Sequence, residues 1–254
     1  MDNRIINLLT ESDVYCNGRM KINPCNGEVL EDVVANRPIF RRLAVEEVGD
    51  RKKKTRKQSA EGESAGRAAA RARKQLFELA VCNPMEYFIT LTLDEREIDR
   101  YDYKKCVRRL GQWLSNRVER NGFQYILVPE LHKDGALHFH GLVNGGGLRL
   151  CESGHKTKDN RIIYNISNWR YGFTTAVKLS GDYGAVCRYI TKYITKSTES
   201  GCIGGRYFFH GGDLRPPRLV YYQADNWAEI PGKVVVVEEA GLEFRYRPIG
   251  ETPT

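Results

Sequence analysis

Two histidines separated by one residue, His138 and His140, are the strongest chemical signal in the sequence. They belong to the stretch Leu137–Val143, whose apolar and aromatic residues predict a β-strand. Because successive side chains of a strand point to opposite faces, both imidazoles face the same way while Phe139 faces a core. Two imidazoles on a rigid strand form a platform for a metal ion, so this motif predicts a metal site.

The turn that precedes this strand decides which residue of the neighbouring strand faces the histidines. A three-residue loop, Lys133–Gly135, with its glycine in the left-handed conformation would place Glu130 opposite His138 and His132 opposite Ala136. A shorter loop, or a bulge at the nearby proline, would change that pairing. The predicted metal ligands are therefore His138, His140 and Glu130, with His132 as the reserve ligand.

These donors alone leave the identity of the metal open. A 2-His-1-carboxylate set suits non-haem iron, and the same residues also suit a hydrolytic zinc ion. Histidines of a surface strand beside a polar turn give the same pattern without any metal. A second group of residues is needed to choose between these interpretations.

That second group consists of two tyrosines and two lysines in the predicted helix Tyr183–Lys196. Tyr189 and Tyr193 lie one turn apart on one face, and Lys192 and Lys196 each follow a tyrosine by three residues. A phenol with a pKa of about 10 is a poor nucleophile near neutral pH, so attack on a phosphate requires a nearby cation and a metal. The pattern predicts two nucleophilic tyrosines, although an amphipathic helix at the edge of a core has the same residues.

The elements between residues 85 and 200 must hold both groups. Their predicted order is strand, helix, three strands and a helix. The segments are the strands Tyr87–Leu93, Phe123–Val128, Leu137–Val143 and Phe173–Leu179 and the helices Tyr103–Asn121 and Tyr183–Lys196. This order predicts an α+β fold, an antiparallel sheet with helices on one face. In the last helix an apolar stripe is expected to pack on that sheet, formed by Val186, Ile190 and Ile194.

Composition along the chain predicts four segments. They are a small N-terminal β-hairpin segment (1–50), a basic linker and helix (51–83), a core (84–200) and a C-terminal β-rich extension (201–254). The pairs Asn17-Gly18 and Asn26-Gly27 indicate hairpins. Ser64 is the expected cap of the helix in the second segment, and residues 144–160 are expected to form a polar, Gly-rich loop. A last hairpin is predicted from residues 233–238 and 242–247.

Positive charge is concentrated in one tract, from Arg51 to Lys74. The tract has ten basic and two acidic residues, and it accounts for the whole net charge of +8. This concentration is typical of a segment that binds a nucleic-acid backbone, and equally of a solvated linker. The basic residues taken as candidate DNA contacts are Arg51, Lys52, Lys53, Lys54, Arg56, Lys57, Arg71 and Lys74.

The overall composition excludes several classes of protein. Hydrophobic residues make up 41% of the chain, which is enough for a folded core. The sequence has no apolar run long enough for a membrane span and no signal-peptide pattern, and its seven cysteines include no CxxC pair. These features predict reduced thiols, no membrane partner and a location in the cytoplasm.

Three motifs, taken together, resemble those of the HUH endonucleases, the rolling-circle replication initiators (Rep proteins) of single-stranded DNA phages, plasmids and bacterial mobile elements. Phe88–Asp94 (FITLTLD) is similar to their first motif, and His138–His140 (HFH) to their metal motif, with Glu130 upstream. Tyr189–Tyr193 (YITKY) is similar to the two-tyrosine helix of the subset that includes microvirus initiators. The resemblance covers roughly residues 85–197.

The resemblance implies a five-stranded, antiparallel, ferredoxin-like core, and Mg²⁺ or Mn²⁺ in place of zinc. It implies a nickase-ligase that initiates and terminates rolling-circle replication in a bacterial host cell through a 5′-phosphotyrosine link at a single-stranded origin. Lys192 and Lys196 would stabilise charge or position the tyrosines, and Thr90 and Thr92 are candidate DNA contacts.

The sequence has no P-loop, so a replication initiator of this kind would need a helicase and a polymerase from its host. Two alternatives stay open. A transposase or relaxase of a mobile element uses the same chemistry, and a non-catalytic ferredoxin-like module would only bind nucleic acid.

Overall fold

The structure, a computed structural model, describes residues 15–41, 61–199 and 206–247, together with the backbone of residues 6–8. At the ends of the middle range, residues 61–65 and 195–199 are described by their backbone only. The elements in chain order are β1 (Ile6–Leu8), β2 (Tyr15–Cys16), β3 (Gly18–Ile22), β4 (Val29–Ala35), β5 (Phe40–Arg41), α1 (Glu61–Val81), β6 (Tyr87–Thr92), α2 (Tyr103–Asn121), β7 (Tyr125–Leu131), β8 (Leu137–Val143), β9 (Leu150–Lys156), β10 (Ile162–Ile166), β11 (Thr174–Lys178), α3 (Tyr183–Glu199), β12 (Phe209–Gly211), β13 (Arg218–Ala224), β14 (Lys233–Val237) and β15 (Leu242–Arg247).

One of two units combines the two ends of the chain, residues 1–57 and 216–254. Its main sheet has six strands in the order β1-β13-β3-β4-β15-β14. At its small core the Tyr222 hydroxyl donates a 2.6 Å hydrogen bond to the buried Asp32 carboxylate. The predicted division placed the ends in separate segments, 1–50 and 201–254, whereas the structure joins them in one sheet because strands of both ends pair.

Of the two Asn-Gly pairs, one forms the predicted hairpin turn. Asn26-Gly27 lies between the paired strands β3 and β4. The hairpin predicted at Asn17-Gly18 is wrong, because Gly18 is the first residue of β3 and leaves room for the ring of Tyr222. The C-terminal hairpin of β14 and β15 is present as predicted.

The second unit, residues 58–215, contains the three α-helices of the described chain and a seven-stranded sheet. The strand order is β12-β7-β8-β6-β11-β10-β9, and every neighbouring pair is antiparallel. The predicted α+β class is confirmed. The inner five strands, β7 to β10 in this order, form an antiparallel sheet, and β12 and β9 extend it at the edges.

The expectation of helices on one face is wrong, because helices cover both faces of this sheet. On one face Leu110 and Leu114 of α2 pack with Phe139. On the other, α1 and α3 pack with Ile126 and Val128. The reason lies in β7, where Ile126, Leu127 and Val128 are all fully buried, so the strand needs apolar cover on both sides.

The predicted element boundaries hold best where the sequence has caps. α2 spans Tyr103–Asn121 as predicted, with Asp102 accepting a hydrogen bond from the Lys105 amide and Gly122 left-handed at its end. α1 begins at Glu61, before the predicted cap Ser64. The loop predicted over residues 144–160 contains β9, which pairs with β10 as an exposed ribbon that lacks an apolar alternation.

Among the described residues, no helix is long and apolar enough to cross a membrane.

Candidate catalytic site

The hairpin of β7 and β8 places the predicted ligands together. Glu130 pairs with His138, and the His132 amide donates to the Ala136 carbonyl, which is the predicted register. The turn glycine, Gly135, is left-handed with a φ of 83°. The register prediction is therefore confirmed, because the left-handed glycine allows the three-residue loop.

Each histidine is held by a threonine of the next strand. Thr90 pairs with His140 and Thr92 with His138 across β6 and β8. The Thr90 hydroxyl lies 3.0 Å from Nδ1 of His140, and the Thr92 hydroxyl lies 3.1 Å from Nδ1 of His138. A hydroxyl both donates and accepts, so it fixes the ring orientation in either tautomer.

Glu130 contacts the second histidine of the pair. Its Oε2 lies 2.8 Å from Nε2 of His140, although Glu130 pairs in register with His138. A carboxylate only accepts, so in neutral His140 the proton is on Nε2 and Nδ1 accepts from the Thr90 hydroxyl. The opposite tautomer would free Nε2, with Nδ1–H donating to Thr90.

His138 is a neutral imidazole in this setting. It is buried, and burial is the main cause that lowers its pKa to about 4, with the nearby His132 and His140 acting in the same direction. The ring of the exposed His132 stacks on His138 at a centroid distance of 3.8 Å. The reserve ligand therefore lies against the predicted site as well.

The helix α3 brings both tyrosines to the same side of the sheet as the histidines. Ile190 and Ile194 of its predicted apolar stripe are fully buried, and they anchor the helix in the core shared with α1. The ring of Tyr193 stacks on His140 at 4.4 Å between centroids. The hydroxyls of Tyr189 and Tyr193 lie 2.8 Å apart. Two groups that are about 50 residues apart in sequence thus form one cluster.

The two tyrosines are not equivalent, although their local sequences are alike. Tyr189 is 47% exposed and Tyr193 is 8% exposed. Burial raises the pKa of Tyr193, and the hydrogen bond with Tyr189 and the charge of Glu130 raise it further. Tyr189 is therefore the more accessible phenol.

The lysines differ as well. The Lys192 ammonium lies 5.9 Å from the centre of the Tyr189 ring, within cation–π range. The side chain of Lys196 lies outside the described residues. Lys192 is thus the cation that the structure places beside the exposed tyrosine.

One residue of the cluster had no role assigned from the sequence. The Phe88 ring lies 5.8 Å from that of Tyr189, 6.4 Å from that of Tyr193 and 6.4 Å from that of His140. It forms an aromatic contact common to all three. The alternation of β6 contained the signal, since Phe88 shares a face with Thr90 and Thr92.

The predicted DNA contacts are placed unevenly. Thr90 and Thr92 contact the histidines, so the structure gives them a positioning role. Arg71 is exposed on α1 and Lys74 is partly exposed there. The remaining basic candidates lie outside the described residues, namely Arg51, Lys52, Lys53, Lys54, Arg56 and Lys57.

The donors do not stand as a ready-made metal cage. In the part of the chain that the structure describes, no three His, Cys, Asp or Glu side chains are arranged to hold a metal ion. The direct contact between Glu130 and His140 brings two of the predicted ligands together. The donor chemistry still fits a divalent cation, because Nδ1 of each histidine faces a hydroxyl and each Nε2 points away from that partner.

Comparison with known proteins points to replication. A family model for replication-associated proteins of the ORF2 type matches residues 86–198, the segment that holds the histidines, the carboxylate and both tyrosines. This match supports a replication initiator family and a role in DNA replication. No curated protein and no solved structure matches the chain.

Proposed function

We propose that this protein is a two-tyrosine HUH endonuclease, which nicks and rejoins single-stranded DNA at a replication origin. The observation that carries the proposal is the single cluster formed by Tyr189, Tyr193, His140 and Glu130. Nucleophiles and candidate metal ligands lie within contact distance of each other on one face of a sheet. The matched family supports the replication role.

The chemistry is a transesterification. A tyrosine Oη attacks the scissile phosphorus, a P–O bond forms to the tyrosine and the bond to the 3′ oxygen breaks. The phenolic proton is lost and the leaving oxygen gains a proton, which gives a 5′-phosphotyrosine and a free 3′-OH. Because one phosphodiester replaces another, the step needs no nucleotide hydrolysis, and the 3′-OH can reverse it or prime synthesis.

The ligands proposed for Mg²⁺ or Mn²⁺ are His138, His140 and Glu130, with His132 adjacent. A bound divalent cation would polarise the scissile phosphate. Neutral His138 suits this role because a ligating imidazole must be unprotonated. Glu130 and His140 must exchange their mutual contact for the ion.

Tyr189 is proposed as the first nucleophile. It is exposed, and Lys192 lies beside it to stabilise the negative charge that develops at the phosphate. The hydroxyl of Tyr193 stabilises a Tyr189 phenolate by donating across the 2.8 Å contact. Tyr193 would act in the second transfer, after the first tyrosine is occupied.

A groove beside Tyr189 supplies room for the strand. It has a volume of about 740 Å³, and its lining includes Phe88 and the cations Arg161, Arg188 and Lys192. Arg161 and Arg188 each contact an exposed aspartate, and such surface pairs are weak enough to exchange for phosphates. The groove fits a single strand that leads to the exposed phenol.

The test is incubation with a set of single-stranded candidate origin oligonucleotides and Mn²⁺. The expected result is a covalent protein–DNA band that appears with Mn²⁺, disappears with EDTA and disappears in His140→Ala. Binding without any cleavage would contradict the proposal and favour the non-catalytic module.

A further inference from the structure

A second groove lies on the α2 side of the sheet, the face opposite the histidines and tyrosines. Its volume is about 820 Å³, and its walls come from α2, the loop between β8 and β9 and the loop between β10 and β11. Four arginines and no carboxylate line it. These arginines are Arg117, Arg120, Arg149 and Arg170.

The positive charge of this groove is uncompensated. None of the four arginines forms an ion pair with another described residue. Arg117 is the most enclosed, and its buried Nε has no hydrogen-bond partner. Burial and, to a lesser extent, the charge of Arg149 lower the pKa of Arg117 to about 10. Four cations held together in this way raise the local concentration of anions.

The groove is held in shape by hydrogen bonds between its walls. The indole of Trp113 donates a 2.9 Å bond to the Asn168 carbonyl, and Arg117 donates a 3.0 Å bond to the same oxygen. The Asn168 side chain donates a 2.8 Å bond to the Gly147 carbonyl. Helix and both loops are therefore fixed before any ligand binds, which lowers the entropy cost of binding.

The lining favours phosphates over bases. The guanidinium of Arg117 covers the ring of Trp113 at 3.7 Å, and Phe123 and Trp169 contact that ring edge-on. No open face of Trp113 is left for a base to stack on. Arg120, Arg149 and Arg170 are exposed at the groove, where they can each reach a different phosphate.

We infer that this groove binds the phosphate backbone of nucleic acid, without reading its bases, on the face of the sheet opposite the candidate catalytic site. The ligand class is a chain of phosphates, and its identification as nucleic acid rests on the proposed function. Such a site would hold DNA that is not in the catalytic groove.

The first test measures the salt dependence of binding to a labelled single strand of mixed sequence, with the full-length protein and no metal. The variant R120Q/R149Q/R170Q should lower the log–log slope by about 2, since each lost contact removes about 0.7. The matched control K104Q/K105Q/R108Q removes three cations of α2 that lie outside the groove. An unchanged slope in the first variant, or an equal loss in the control, would overturn the inference.

A second measurement separates binding from folding. The melting temperature of R120Q/R149Q/R170Q should equal or exceed that of the parent, because repelling charges are removed, and R120K/R149K/R170K should keep the parent slope. Tripolyphosphate should raise the melting temperature of the parent but not of the Gln variant. If tripolyphosphate stabilises only the parent while the DNA slope is the same in both, the groove is a small-anion site and the inference fails. Neither measurement depends on cleavage, so failure here and failure to nick are distinguishable.

Discussion

At the scale of single residues, the candidate site depends on pairs of hydroxyl and imidazole groups. Thr90 and Thr92 face the Nδ1 atoms of His140 and His138, and each ring is thereby held with its Nε2 directed away from that partner. Partners of this kind orient ligands and tune their basicity. The threonines thus belong to the function as positioning residues.

Removal of either hydroxyl should weaken metal binding. In Thr90→Val or Thr92→Val the imidazole loses its partner at nearly constant side-chain volume, so we expect Mn²⁺ affinity to fall roughly 10- to 100-fold by calorimetric titration. Thr175→Val is the matched control, because Thr175 is an exposed residue that pairs with Thr90 from β11. Equal affinity in all of these variants would contradict the positioning role.

The buried His138 also predicts how stability depends on pH. Its pKa is lowered from 6.5 to about 4, so between these values the unfolded chain takes up a proton that the folded imidazole does not. The free energy of unfolding should therefore fall as the pH falls through this window, by about 3 kcal/mol at most. Urea titrations in EDTA measure this dependence. His138→Gln should flatten it, and an unchanged pH profile in that variant would refute the assignment.

At the scale of elements, the register of β7, β8 and β6 is what converts separated residues into a site. Gly141 lies in the middle of β8, where a Cβ atom would collide with the Ile126 carbonyl and the Leu127 side chain. The close approach of β7 and β8 at this point holds the strand that carries both histidines.

Gly141→Ala should therefore destabilise the sheet by about 1–3 kcal/mol, since the backbone of β7 must shift. Gly111→Ala is the control, because a Cβ at that helical position meets nothing within 4 Å, and it should gain about 0.5–1 kcal/mol. Thermal unfolding of both variants measures the difference. Equal stability of the two would show that β7 and β8 are not closely packed at Gly141.

The sequence predicted the parts of the site that depend on local spacing. Alternation placed His138 and His140 on one face, and the turn at Gly135 gave the register of Glu130. Sequence spacing could not predict that Tyr193 is buried against His140 while Tyr189 is exposed, because this difference depends on how α3 packs on the sheet. Helices on both faces were missed for the same reason.

At the scale of the whole molecule, the site and both grooves belong to the unit of residues 58–215, and both ends of the chain build the other unit. The unit of residues 58–215 holds two large buried clusters, one on each face of its sheet. A unit of this size, roughly 160 residues, is typical of an independently folding domain.

A fragment of residues 58–215 should thus fold by itself. We expect cooperative thermal unfolding by circular dichroism, and Mn²⁺ affinity close to that of the full chain. A non-cooperative transition would show that residues 1–57 and 216–254 are needed for this fold.

The most direct test of the central claim is mapping of the covalent adduct by mass spectrometry, after a brief reaction of the protein with a cleavable single strand and Mn²⁺. The expected adduct is on Tyr189 in the parent and in Tyr193→Phe, although Tyr193→Phe should form it about tenfold more slowly because the phenolate loses a hydrogen bond. Tyr189→Phe/Tyr193→Phe should form none. An adduct in the double variant, or cleavage with no adduct in the parent, would contradict a tyrosine mechanism.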